Sequence, residues 1–144
     1  MNRKMNAFRK GLTIVLLMLL TAFTLCACSG GKKEVTVDTA KLAKELAEGS
    51  VTSEELTEMA TGMIAGSYYI SDEIYAGGSA WKGTGATACE VVVIESKKAD
   101  QTGDVESKLK EHLTSQADLY ASYNAGEVDK LEKAVLKSLG KYTA

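Results

Sequence analysis

Three side chains with acid–base or nucleophilic chemistry fall where a fold could gather them: Cys89, Glu90 and His112, the last being the chain's single histidine. A thiolate beside an imidazole can attack a carbonyl, provided a third group orients the ring. Cys89, however, lies in an apolar run where a thiol packs as a small apolar side chain and stays inert. Glu90 has two readings. It is either a strand-end charge reaching water or a lysine, or a partly buried carboxylate that binds something. A small hydrolase or transferase would use Glu90 and His112 as acid and base. A second constellation is aromatic: Tyr68, Tyr69, Tyr75 and Trp81, in a segment broken by Gly77-Gly78. Rigid aromatics supply contact area at little entropic cost, which suits a binding surface. The same rings could instead fill a core beneath a sheet.

Other patterns fail on context. Gly83-Thr84-Gly85-Ala86-Thr87-Ala88 fits the dinucleotide spacing, but that loop needs a strand before it and a helix after it. Here the following residues read as strand. Ser79 and Lys82 have the spacing of an acyl-enzyme pair but no partner motifs. One histidine and no cysteine pair give no transition-metal site, and no spaced aspartate loop calls for calcium. No cofactor is implied.

The N-terminus carries its own chemistry. Arg3, Lys4, Arg9 and Lys10 precede an uncharged, largely apolar run over 12–27, sixteen residues long. A basic segment followed by such a run begins a secretory signal, and a spanning helix needs about 20 apolar residues. An uncleaved signal anchor is the alternative, against which Thr13, Thr21 and Thr24 count. Leu25-Cys26-Ala27-Cys28 resembles the lipobox of bacterial lipoproteins. The resemblance implies cleavage before Cys28 and a diacylglyceryl group on its sulfur. Two acyl chains, at about 0.8 kcal/mol per buried CH₂, anchor a protein stably where one does not. Three segments are then expected: a signal peptide over 1–27, a lipidated cysteine and flexible tether over 28–37, and a domain over 38–144 at the outer face of the cytoplasmic membrane. Lys32 and Lys33 of the tether either attract anionic lipid or are simply solvated.

Removing 1–27 leaves 117 residues, one domain's length. The four basic residues lost leave 13 lysines, no arginine and 19 acids, a net charge of −6. Such a surface repels phosphate backbones and lacks the guanidinium fork that reads guanine, so no nucleic acid is expected. Two lobes around a transported solute would not fit this length. Cys89 alone stays unmodified, so the domain has no internal disulfide.

The elements that must position these groups follow from spacing. Asp38 caps a predicted helix over 39–48, with Leu42, Ala43 and Leu46 as its stripe and Gly49 as its left-handed end. Thr52-Ser53-Glu54-Glu55 reads as a capping box opening a second helix through Met59, Met63 and Ile64. A loop or short strand carries the tyrosines, and a short strand covers 79–82. Gly83-Thr84-Gly85 turns into a strand over 86–95, whose Val91-Val92-Val93-Ile94 marks it as central. Alternation puts Val92 and Ile94 on the face of Glu90. Asp104 begins a helix to about 122 with Val105, Leu109, Leu113, Ala117 and Tyr120 inward and His112 flanking; Val128, Leu131 and Val135 mark one more short helix.

Gly85-Ala86-Thr87-Ala88-Cys89-Glu90-Val91-Val92-Val93, the helix with Gln116 that ends at Tyr123, Leu131-Glu132-Lys133-Ala134-Val135 and Gly140-Lys141-Tyr142 together resemble a family of small Gram-positive lipoproteins, domain of unknown function 4358. The likeness covers nearly all of 38–144. It implies an α+β fold, a small antiparallel sheet packed with about four helices, and assigns no catalytic residues. His112 stands where that pattern has an arginine, and Asn124-Ala125 where it has a proline. The family's last strand runs on beyond Tyr142, so either that strand is shortened here or the natural chain is longer. A shortened strand leaves its neighbour's backbone groups open to another chain. The expected role is a non-catalytic module held to the membrane by lipid, binding an envelope protein, peptide or wall component through Tyr68, Tyr69, Tyr75, Trp81 and Glu90. The hydrolase or transferase is the alternative.

Overall fold

A computed structural model of the chain describes residues 35–50 and 52–144. The signal, the lipobox and Cys28 lie outside the described residues. Helix α1 spans Thr39–Gly49, strand β1 Thr57–Glu58, α2 Thr61–Ser67, β2 Tyr75–Lys82, β3 Glu90–Ser96, α3 Thr102–Tyr123, α4 Val128–Glu132, β4 Ser138–Leu139 and β5 Tyr142–Thr143. The five strands form one antiparallel sheet in the order β1-β2-β3-β5-β4. This is the α+β architecture expected, with β3 at its centre. Among the described residues no helix is long and apolar enough to cross a membrane.

The core follows from β3 being apolar on both faces. Ile94 and Ala80 join Ile64, Tyr68 and Ile70 of the α2 region and Val105 and Leu109 of α3 in one buried cluster. Register pairs Ala80 with Val92, Gly78 with Ile94 and Lys82 with Glu90, so these residues share the α3 face. Ser79, Trp81, Val91 and Val93 alternate to the other face. There α1 packs on β2 and β3, and Ala43 and Val93 are wholly buried. Asp38 caps α1 by accepting from Lys41 N at 3.0 Å, which satisfies one of the free N–H groups of the first turn. Helix α1 ends without a left-handed residue. Its C-cap is Ser50, in extended conformation, whose N–H donates to Ala47.

One predicted helix shrinks. Residues 52–60 are not helical, and α2 keeps only its last two turns. The capping box never forms, because the Thr52 hydroxyl takes another partner and the neighbouring Glu54 is held by threonines distant in sequence. The Thr52 hydroxyl donates to the Glu54 carbonyl at 2.6 Å, and Glu54 accepts from Thr84 at 2.7 Å and from Thr87. Met59 N donates to Ala80 O at 2.8 Å and β1 pairs with the end of β2, so sheet formation outweighs the local helical pattern. Strand β2 begins at Tyr75, four residues before the predicted strand. Strand β3 begins at Glu90, because residues 83–89 form a wider loop with Gly85 at φ +93°. Helix α3 starts at Thr102, with Asp104 in its first turn.

Gly78 is required where it stands. A Cβ there would come within 2.7 Å of the Val93 carbonyl oxygen and 3.0 Å of Ile94 Cδ1, and backbone in a sheet centre cannot yield cheaply. Gly78→Ala is expected to cost about 1–3 kcal/mol of stability by overpacking. Gly77→Ala, with open space around its added Cβ, should stay within about 0.5 kcal/mol. Urea unfolding of the two variants checks the difference, and equal midpoints would refute it.

Candidate functional site

Glu90 enters β3 on the α3 face, and two elements bring partners to it. Helix α3 presents His112, whose Nε2 lies 3.2 Å from Glu90 Oε1. Strand β2 presents Lys82 directly across the ladder, its Nζ 3.6 Å from Glu90 Oε2. Tyr68, just past the end of α2, stacks its ring on the imidazole with centroids 4.8 Å apart and planes tilted by 58°. His112 is 7% exposed and Tyr68 1%, yet neither Nε2 nor the Tyr68 hydroxyl has an aligned hydrogen-bond partner among the described residues. The His112 contact to Glu90 is close without the alignment of a full bond.

Electrostatics at this point settle on an ionised carboxylate. Burial pushes the Glu90 carboxyl up, but the polar pull of His112 and Tyr68 and the charges of His112 and Lys82 outweigh it, leaving it below the usual carboxylate value. The Tyr68 hydroxyl is pushed far up, first by burial and then by the Glu90 charge, and stays protonated.

The 83–89 loop forms the next part of the site, held down by the end of α3. The Tyr120 hydroxyl donates to the carbonyls of Thr87 and, at 3.2 Å, Gly85; the Tyr123 hydroxyl also donates to Gly85 O, at 3.1 Å. Asn124 Nδ2 donates to Ala86 O at 3.0 Å, and Glu127 accepts from Ala88 N at 2.9 Å. Lys130 closes on Glu127 at 2.7 Å and reaches the Ser53 hydroxyl at 3.3 Å. Cys89 is half-exposed rather than buried in the sheet, because β3 starts one residue after it. Burial raises its thiol, but hydrogen bonding with Thr87 and Ser53 and the Lys130 charge bring it below the ordinary thiol value.

Tyr68, Lys82, Cys89, Glu90, His112 and Tyr120 line a cleft of about 580 Å³, within the usual range for a ligand site. Leu109 and Leu113 wall it from α3, Leu46 from α1, and Leu131, Val135 and Leu136 from the segment leading to β4. Among the described residues no three acidic, histidine or cysteine side chains are placed to hold a metal ion.

Of the residues singled out from sequence, Tyr68, Glu90 and His112 converge here. Cys89 lines the same cleft. Tyr69 stands apart, 67% exposed at φ 55°. Tyr75 lies at the far end of β2, paired with Ser96, and Trp81 turns to the α1 face. His112 and Leu113 exchange their expected places: the imidazole points into the protein and Leu113 is half-exposed. Lys82, Glu54, Asn124 and Glu127 carry much of the construction, and local sequence gives no signal for them. Their partners lie up to 39 residues away.

A central-strand carboxylate gripped by one long helix beside an open cleft defines a small α+β domain with a ligand-sized site. The model of the family described as Domain of unknown function (DUF4358) matches residues 49–144. That is two-thirds of the chain, and the chain belongs to this family. No curated protein and no solved structure matches it.

A carboxyl whose folded value is depressed binds its proton less readily folded than unfolded. Its stabilising effect is present above the ordinary value of 4.5 and is lost as pH falls through the folded value. Thermal unfolding between pH 7 and pH 3 should therefore show a fall on the acid side. The fall should be smaller in Glu90→Gln, although Glu54 and Glu127, also depressed, keep part of it. Identical acid limbs would show that Glu90 is not held as an anion.

Proposed function

We propose that this protein is an extracytoplasmic lipoprotein, held at the outer face of the cytoplasmic membrane through a diacylglyceryl group on Cys28, and that its domain is a non-catalytic binding module of the cell envelope. The tether reading is supported by Arg3, Lys4, Arg9 and Lys10 ahead of an uncharged run and by Leu25-Cys26-Ala27-Cys28 at its end. The binding reading is carried by one observation: an apolar-walled cleft that meets a polar cluster of Glu90, His112, Lys82 and Tyr68. Apolar surface supplies affinity in such a site, and a few fixed polar groups supply orientation. The proposed ligand site therefore shifts from the tyrosine-rich segment to the cleft, keeping Tyr68 of that segment and Glu90.

Two measurements in intact cells test this. Mass spectrometry of the N-terminal peptide from the membrane fraction should find Cys28 carrying the diacylglyceryl mass; a free thiol there would refute the anchor. A photo-crosslinking residue at position 135, on the cleft, should capture a discrete envelope component. The same residue at position 119, on an exposed part of α3 outside the cleft, should not. Equal capture at both positions, or none at 135, would refute the binding site.

A further inference from the structure

The 83–89 loop is fastened in two chemically different ways. One set of anchors is neutral: Tyr120 donates to the carbonyls of Gly85 and Thr87, Tyr123 to Gly85 O and Asn124 to Ala86 O. These tie the loop to the end of α3. The other set is anionic. Glu54, ahead of β1, accepts from the Thr84 hydroxyl through Oε2 and from the Thr87 hydroxyl through Oε1. Glu127 is buried at the turn into α4 and accepts from Ala88 N at 2.9 Å, while its two oxygens hold Lys130 Nζ at 2.8 and 2.7 Å. Lys130 also reaches the Ser53 hydroxyl at 3.3 Å, and the Cys89 thiol meets that hydroxyl at 3.5 Å. A seam between the loop and residues 53–54 is thus closed by charge.

Protonation acts on the two sets unequally. A carboxylate accepts on both oxygens, whereas a protonated carboxyl carries a donor on one of them. Glu54 serves one hydroxyl donor per oxygen, so it accepts from both threonines only as an anion. Protonated Glu127 loses its ion pair with Lys130 and the charge that strengthens its bond to Ala88 N. The neutral anchors have no such dependence, since the Tyr120 hydroxyl, pushed up first by burial, stays protonated. Across the seam each carboxylate faces the other, Lys130 and Tyr120; Lys130, raised by Glu127, keeps its charge. Glu90 follows the loop in sequence, but its partners are His112, Tyr68 and Lys82, none of them in 83–89.

We propose that the 83–89 loop is an acid-released latch: protonating Glu54 and Glu127 frees Thr84, Thr87 and Ala88, while Tyr120, Tyr123 and Asn124 keep the loop on α3. The loop then parts from residues 53–54 without leaving the helix. Thr87, Ala88 and Cys89 wall the cleft, so one side of the cleft loosens and the Cys89 thiol is uncovered at the seam. Glu54 is held below the ordinary carboxyl value of 4.5 by the Thr87 and Thr84 hydroxyls, and Glu127 by Lys130 and the Ala88 N–H. The hold of such a depressed carboxyl is full above the ordinary value and is lost as pH falls through the folded one. The latch is therefore shut at neutral pH and opens below 4.5. This goes beyond the binding role proposed above and depends on neither the anchor nor a ligand.

The test is hydrogen exchange of the full chain in lipid nanodiscs, read at single residues between pH 6 and pH 3. Each rate is divided by the intrinsic rate of that amide at the same pH. Protection at Ala88, whose N–H is held by Glu127, should fall at least tenfold across the range. The wholly buried Val93 should keep its protection, which separates local opening from global unfolding. In the double variant Glu54→Gln, Glu127→Gln, Ala88 should exchange at pH 6 as the unmutated chain does at pH 3, with no further response to acid. Glu90→Gln should respond as the unmutated chain does. If the double variant misfolds, the unmutated profile and Glu90→Gln still decide. Constant protection at Ala88, loss only together with Val93, a double variant that still responds, or a response abolished by Glu90→Gln would each overturn the latch.

Discussion

The seven-residue loop between β2 and β3 must place its backbone polar groups somewhere, and the way it does so governs the site. Buried or half-buried peptide groups need partners, and this loop finds few of its own. It takes them from the end of α3 and the turn that follows: Tyr120, Tyr123, Asn124 and Glu127 together satisfy Gly85, Ala86, Thr87 and Ala88. Glu54 holds the same loop from the other side through Thr84 and Thr87. Neutral hydrogen bonds contribute on the order of 1 kcal/mol each, and losing a partner inside costs more. Once fastened, the loop fixes the end of α3 against the start of β3. His112 lies eight residues before Tyr120, roughly two turns or 12 Å along the same helix. The clamp at one end of α3 thus sets where the imidazole meets Glu90.

The same constraint explains the pairing of an apolar wall with a charged floor. A glutamate at the mouth of an otherwise aliphatic strand would be expensive to bury alone. Here it faces water on one side, Lys82 across the ladder and His112 from the helix. The apolar residues beyond it, Val92 and Ile94, continue into the core with Ile64, Tyr68 and Leu109. Fold and site therefore share residues. Tyr68 is at once one of the largest fully buried side chains and the ring against which His112 rests.

Much of this was legible in the chain itself. Val91-Val92-Val93-Ile94 announced a central strand, and alternation placed Glu90 on the face where α3 now covers it. Asp38 announced the start of α1. What could not be read locally was decided by distant partners. Thr52 to Glu55 has the form of a capping box, yet Glu54 is drawn to hydroxyls thirty residues on. The apolar period of α3 is equally compatible with His112 or Leu113 inward. Tyr68 and Glu90, which receive the imidazole, decide between them, and neither is visible from the helix alone. Lys82 looked like half of an acyl-enzyme motif; the ladder makes it the counter-ion of Glu90, while Ser79 turns to the opposite face.

Glu90 and His112 meet as a carboxylate beside an imidazole. A general acid or base works best with a pKa near the operating pH, and enzymes raise glutamates toward neutrality to reach it. Glu90 is moved in the other direction, held ionised by His112, Tyr68 and Lys82. The Cys89 thiol, though lowered, has its described polar contacts with Ser53 and Thr87 and the charge of Lys130 beside it, not with the imidazole, so the dyad that nucleophilic catalysis needs is not assembled. Charges that already have partners, beside apolar walls, can still orient a ligand without reacting with it. That combination is what the binding role proposed above rests on.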